Sequence, residues 1–269
     1  MNKNWITRSL TGIVYIAVIV AGILLGGSYF LDMALILAIP AVMEFKRITL
    51  KDWHGSSLNT ILDIIATGLI ISSTVIYDLS GILLALALLT VIVRMISMLY
   101  NHSEDPLRSI TSSLSVLVYI AIPIAMMGMI RWVSPHLLLL MFVLIWLNDT
   151  GAFIVGSLLG RHRLFERISP KKSWEGFFGG MVFAIGAAIA AGEFFPEYFE
   201  LTLLQAALLG AIVTVAATYG DLIESCLKRN AGVKDSGNLL PGHGGMLDRI
   251  DSLLLVSPCV VLFIFLFLL

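Results

Sequence analysis

Five carboxylates stand within or at the ends of otherwise apolar stretches of this chain: Asp149, Asp221, Glu224, Asp248 and Asp251. An Asp at the centre of a membrane span costs about 2.5–3.5 kcal/mol on insertion scales, so this number of acids needs a purpose. Helical spacing groups four of them. Asp221 and Glu224 are three residues apart with Ser225 close by, and Asp248 and Asp251 repeat that interval, so each pair shares one helix face. Asp149 sits in a polar interruption, Asn148-Asp149-Thr150-Gly151. Converging carboxylates repel, and one takes up a proton unless a cation lies between them. Oxygen donors of this kind suit a hard cation such as Mg²⁺, which favours one or two carboxylates together with substrate phosphates. Lys171, Lys172, Lys228, Arg229 and Lys234 are the complementary groups for phosphate oxygens. The segment 227–249 carries Gly232, Gly237, Gly242, Gly244 and Gly245, a composition that lets backbone N–H groups approach an anion. Acids for a metal, bases for phosphates and a glycine-rich loop point to chemistry joining a soluble polyphosphate to a lipid head group.

The elements that must carry these groups are membrane helices. Of 269 residues, 58% are hydrophobic and 13% charged, about half the charge of an ordinary soluble domain. The mean hydropathy of +0.96 excludes a water-soluble globular enzyme and a disordered chain. The net charge of −1 leaves no basic field for nucleic acid. Apolar runs near the length needed to cross about 30 Å of hydrocarbon fall at 10–26, 29–43, 58–77, 79–99, 113–130, 136–159, 174–192, 201–226 and 249–269. The expected fold is therefore an all-α polytopic protein of about nine spans. No internal repeat is evident.

With a cytoplasmic N-terminus, inner segments hold every Lys and Arg except Arg131, while the outer loop near Glu193, Glu197 and Glu200 has three acids and no base. That asymmetry is the positive-inside pattern and places the C-terminus outside. The first run is read as an uncleaved span rather than a signal peptide. Cys226 and Cys259 lie at different depths and are expected to pack as small apolar residues without a disulfide. His54, His102, His136 and His162 read as interfacial, and Asp32, Asp63 and Asp78, which lack grouped partners, as structural or interfacial. His243, between two glycines, is better placed to fix the loop or to bond a phosphate.

The 27-residue run 225–251 is the most specific feature. It reads Ser225-Cys226-Leu227-Lys228-Arg229, then Lys234-Asp235-Ser236-Gly237, then Leu240-Pro241-Gly242-His243-Gly244-Gly245-Met246-Leu247-Asp248-Arg249-Ile250-Asp251. It resembles the signature of the phosphatidate cytidylyltransferases, also called CDP-diacylglycerol synthases. Ser169-Pro170-Lys171-Lys172-Ser173-Trp174-Glu175-Gly176 and Asn148-Asp149-Thr150-Gly151-Ala152-Phe153 extend the likeness, with Phe153 where relatives more often carry Tyr. The motifs cover about the last 125 residues. This resemblance implies CTP + phosphatidate → CDP-diacylglycerol + pyrophosphate in phospholipid biosynthesis. It also implies Mg²⁺ dependence and an active site on the cytoplasmic side of a bacterial inner membrane.

On that reading the metal falls to Asp221 and Asp248, with Asp251 or Glu224 completing the site and Asp149 binding a second cation or orienting a lysine. Lys228, Arg229 and Lys234 join Asp221 and Asp248 as catalytic residues. Ser169, Lys171, Lys172, Ser225, His243, Gly244, Gly245 and Arg249 hold substrate. Residues 132–269 form the catalytic membrane domain. Residues 1–131 serve packing, lipid access or a homodimer contact. Two other classes remain open on the residues alone: a CTP-dependent polyprenol kinase, which would release CDP, and a transporter using its carboxylates as an ion relay.

Overall fold

The computed structural model describes residues 2–50, 58–100, 105–239 and 244–269. Its helices are α1 (Asn2–Leu25), α2 (Gly27–Thr49), α3 (Leu58–Ser73), α4 (Ser80–Ser97), α5 (Pro106–Val116), α6 (Ile122–Val133), α7 (Pro135–Leu159), α8 (Trp174–Phe194), α9 (Leu203–Asn230) and α10 (Leu247–Phe267). A π-helical turn, Leu117–Ala121, joins α5 to α6 just before Pro123, which cannot donate to a preceding turn. Among the described residues seven helical segments are long and apolar enough to cross a membrane, and Leu10–Leu25 and Leu58–Ser73 are shorter apolar helices. The protein is a polytopic, predominantly helical membrane protein. The all-α expectation needs one correction: β1 (Arg163–Phe165) and β2 (Ser169–Ser173) pair antiparallel between α7 and α8. Lys51, His54, His102 and His243 lie outside the described residues.

The chain divides into two compact units. One comprises Met1–Gly128 with Asn230–Ile250, and the other Met129–Arg229 with Asp251–Leu269. Most of the signature run therefore groups with the N-terminal helices.

In the first unit, Gly26 and Gly27 both have positive φ (69° and 51°), a conformation glycine adopts without steric cost, and they separate α1 from α2. The face of α2 formed by Phe30, Met33, Ala34, Leu37, Ala38, Ala41, Val42 and Phe45 is buried at helical spacing. Lys46, fully buried, pairs with Asp63 of α3, and Arg94 of α4 places Nε 3.7 Å from the other Asp63 oxygen. Ser113 donates to Asp63 at 2.9 Å, and Arg94 donates to Ser109 Oγ at 2.6 Å. Asp63 is thus structural. Lys46 and Arg94, two of the inner-segment charges, are helix residues held inside the unit by its carboxylate. Asp105 caps α5 by accepting from Leu107 N and Arg108 N, with Pro106 in the first turn. By contrast α4 is mostly outward-facing: in Tyr77–Tyr100 only 11% of the most apolar window is buried, as expected of a lipid-facing surface.

In the second unit, Ser134 caps α7 and Ser173 caps α8 through Leu137 N and Gly176 N. Helices α7 and α8 cross closely because small residues line the contact. A Cβ on Gly176 would come within 2.9 Å of the Ala152 carbonyl, and one on Gly180 within 2.7 Å of the Asn148 carbonyl. Gly220 of α9 packs on the α10 backbone in the same manner, its position leaving only 2.6 Å between an added Cβ and Asp251 O. Cys226 and Cys259 are not joined by a disulfide.

Candidate active site

The second unit contains a cavity of about 570 Å³, a volume typical of small-ligand sites. Helix α7 supplies Asn148, Asp149, Ala152 and Gly156. The hairpin supplies Arg163, Lys171 and Lys172, and α9 supplies Thr218 and Asp221. The hairpin is the device that brings two lysines to this place. Trp174 N donates to His162 O where the hairpin runs into α8.

Lys172 Nζ lies 2.5 Å from Asp221 Oδ2 and 3.4 Å from the Thr218 carbonyl. Ser225 donates to the other Asp221 oxygen at 3.1 Å, one helical turn along α9. Both Asp221 and Lys172 are about one-third exposed, so the pair stays open to the cavity. Deeper in α9, Glu224 is fully buried and pairs with Lys228 at i, i+4. Asp251, at the start of this unit's part of α10, accepts from its neighbour Ser252 N at 2.6 Å. Carboxylate oxygens of Asp221, Glu224 and Asp251 all lie within 4.8 Å of one another. These three residues could hold a metal ion. Asp149 also lines the cavity and accepts from Asn148 Nδ2 at 3.4 Å.

The expected site residues of the first unit are differently engaged. Asp248 Oδ2 accepts from Gly245 N at 2.8 Å and from Ser236 N at 3.0 Å, so this carboxylate organises the signature loop. Gly244 has φ 84°, and a Cβ there would stand 2.7 Å from Asp248 Oδ2, which explains the glycine on both counts. Lys234 and Arg249 are exposed, and the Arg249 carbonyl accepts from Tyr15. In the second unit Arg229 is exposed, and Ser169 is half-buried on β2 without lining the cavity.

Sequence reasoning passed over two acids that hold the site's loops. Glu175, in the first turn of α8, accepts from Arg161 N at 3.1 Å, His162 N at 3.2 Å and His162 Nδ1 at 2.6 Å, closing the base of the hairpin. Its place in the first turn of α8, where a carboxylate suits the helix dipole, is the signal that could have found it. Arg163, not among the expected site residues, also lines the cavity. The second acid, Glu44, accepts from signature-loop donors about 200 residues away.

A family model described as the cytidylyltransferase family matches residues 6–267. A Staphylococcus haemolyticus protein named phosphatidate cytidylyltransferase is 46% identical over 123 residues, and a Staphylococcus aureus (strain COL) protein of the same name is 43% identical over 123 residues. Each alignment covers 46% of this chain and 46% of the relative, so the matched stretch spans about half the length of these curated relatives. Because the family match runs through nearly the whole sequence, the chain belongs to the cytidylyltransferase family.

Proposed function

We propose that this protein transfers a cytidylyl group from CTP to phosphatidate, giving CDP-diacylglycerol and pyrophosphate. The observation that carries the reading is the convergence of Asp221, Glu224 and Asp251 beside a cavity lined by Lys171, Lys172 and Arg163. The name borne by the staphylococcal relatives supports the same substrates.

Phosphatidate brings its own ionised phosphate nucleophile, so the reaction needs no strong general base. A phosphate oxygen of the lipid attacks the α-phosphorus of CTP, the bond to the β-phosphate bridging oxygen breaks, and pyrophosphate leaves. Two anions must be brought together, and the chain's contribution is positioning and charge neutralisation. Lys171, Lys172 and Arg163 face the cavity where those phosphates would lie. Lys172 is held by Asp221 and the Thr218 carbonyl, which limits its rotamer freedom before substrate arrives. Asp149, also lining the cavity, orients a lysine or takes a second cation.

An all-oxygen set of three carboxylates matches the donor preference of Mg²⁺, with Asp221, Glu224 and Asp251 as the residues that would hold it. When bound, Mg²⁺ neutralises charge on attacking and leaving oxygens. Lys228 offsets the charge of Glu224 inside the protein.

In this account the nine apolar runs all span the bilayer, with the N-terminus inside and the C-terminus outside. The hairpin bases Arg161, Arg163, Arg167, Lys171 and Lys172 then lie on the cytoplasmic side, where CTP is available. The test is turnover by purified protein in liposomes. Pyrophosphate release that requires both phosphatidate and Mg²⁺ supports the reading. Release of CDP in place of pyrophosphate would make the protein a lipid kinase, and an absence of CTP turnover by folded protein would remove the enzyme reading.

A further inference from the structure

Glu44 is an acid near the end of an apolar helix, and its side chain is buried. Burying a carboxylate is costly unless hydrogen bonds replace its water. Here they do. Oε1 accepts from Met246 N at 3.0 Å, and Oε2 accepts from Leu247 N at 2.8 Å and from Ser236 Oγ at 2.9 Å. Met246 and Leu247 open α10, whose first N–H groups have no partner within the helix. A local Ser, Thr or Asp would ordinarily cap them, and this negative group does so from a distant helix, with favourable sign for the helix dipole.

The surrounding sequence is shaped to admit that carboxylate. A Cβ on Gly237 or on Gly245 would collide with Glu44, and at Gly245 also with Ser236 Oγ. Glu44 ties Ser236 to Met246 and Leu247, and Asp248 ties Ser236 to Gly245 through their N–H groups. Glu44 and Asp248 therefore form a double staple across one loop, with Lys234 and Asp235 just outside it.

We propose that Glu44 is a positioning residue for the signature run: it fixes Ser236 and the start of α10, and so the placement of Asp248 and Lys234. The inference rests on the cytidylyltransferase reading for its kinetic consequence, but not for its structural one. It makes the N-terminal helices part of the machinery that shapes the signature.

Two readouts on the full-length protein test it. Amide exchange followed by mass spectrometry should show residues 244–247 exchanging at least about tenfold faster in Glu44→Gln than in wild type, since the loss frees local protection without global unfolding. The near-isosteric amide keeps an acceptor but turns a donor toward a donor. In the same variant kcat for pyrophosphate release should fall about tenfold or more, with thermal stability within a few degrees of wild type. Glu44→Asp, which keeps both acceptor oxygens, should recover part of each effect. If Glu44→Gln fails to fold, Ser236→Ala removes one of the three donors and should give the same pattern at about threefold.

Unchanged exchange at 244–247 would overturn the inference. So would faster exchange with unchanged kcat, because Glu44 would then be structural only. If wild type fails to turn over CTP while the exchange difference holds, the functional reading fails and the loop assignment stands.

Discussion

At the scale of single residues, Asp221 links a cavity lysine to the acidic group. It meets Lys172 and Ser225 through separate oxygens, lines the cavity, and belongs to the three-carboxylate group. Asp221→Asn should lower kcat/KM by about 100-fold or more, measured as pyrophosphate release, because both the charge offered to a cation and the anchor of Lys172 are lost. Asp248→Asn should lower activity by more than about tenfold. Its Oδ2 accepts two backbone N–H groups, and an amide can offer one oxygen but not a carboxylate's charge. Activity of Asp248→Asn within tenfold of wild type would contradict that role. The pairs Asp221/Glu224 and Asp248/Asp251 were legible because three-residue spacing is a local, helical property, but that Asp251 rather than Asp248 lies with Asp221 and Glu224 was not. Nor was Glu44. Its three donors are 192 to 203 residues away, and a lone acid near a helix end carries no sign of where its partners are.

At the scale of elements, the apolar runs located the helices well because a bilayer demands long, uniform hydrophobic segments. What they could not show was the hairpin β1–β2, which is short, polar and half-exposed. Its turn contains Glu166 and Arg167, with no alternation of apolar residues to announce strands. Nor could they show that Lys46 and Arg94 face inward. They entered the sequence reading only as orientation charges, but Asp63 pairs with both within the first unit. That arrangement predicts an asymmetric cost. Asp63→Asn leaves two buried cations without their carboxylate and should destabilise the fold by about 3–5 kcal/mol, seen as a lowered Tm in detergent. The α7–α8 crossing predicts a similar sensitivity at a different place. Gly180→Val should lower the Tm as well, by overpacking against Asn148, with a cost of about 1–3 kcal/mol.

At the scale of the whole molecule, the signature run does not stay within one compact unit. Residues 230–250 group with the N-terminal helices, while Asp221, Glu224 and Asp251 belong to the other unit. A linear reading divides the chain near residue 131 because composition gives no other seam, and sequence proximity cannot reveal that a loop folds onto a distant helix. Orientation is testable at this scale. In a cysteine-free background, a cysteine replacing Glu197 should react with a membrane-impermeant maleimide applied outside, and one replacing Glu166 should react only after the membrane is opened. The reverse pattern would invert the proposed topology.

The central claim is the transfer itself, and isotopic label tests it most directly. Protein in phosphatidate-containing liposomes with Mg²⁺ would receive CTP labelled at the α-phosphorus in one reaction and at the γ-phosphorus in another. The account predicts that α-label enters the lipid fraction as CDP-diacylglycerol while γ-label appears in pyrophosphate, in equal amounts. Label from the γ-phosphorus in the lipid, with α-label left in soluble CDP, would contradict it.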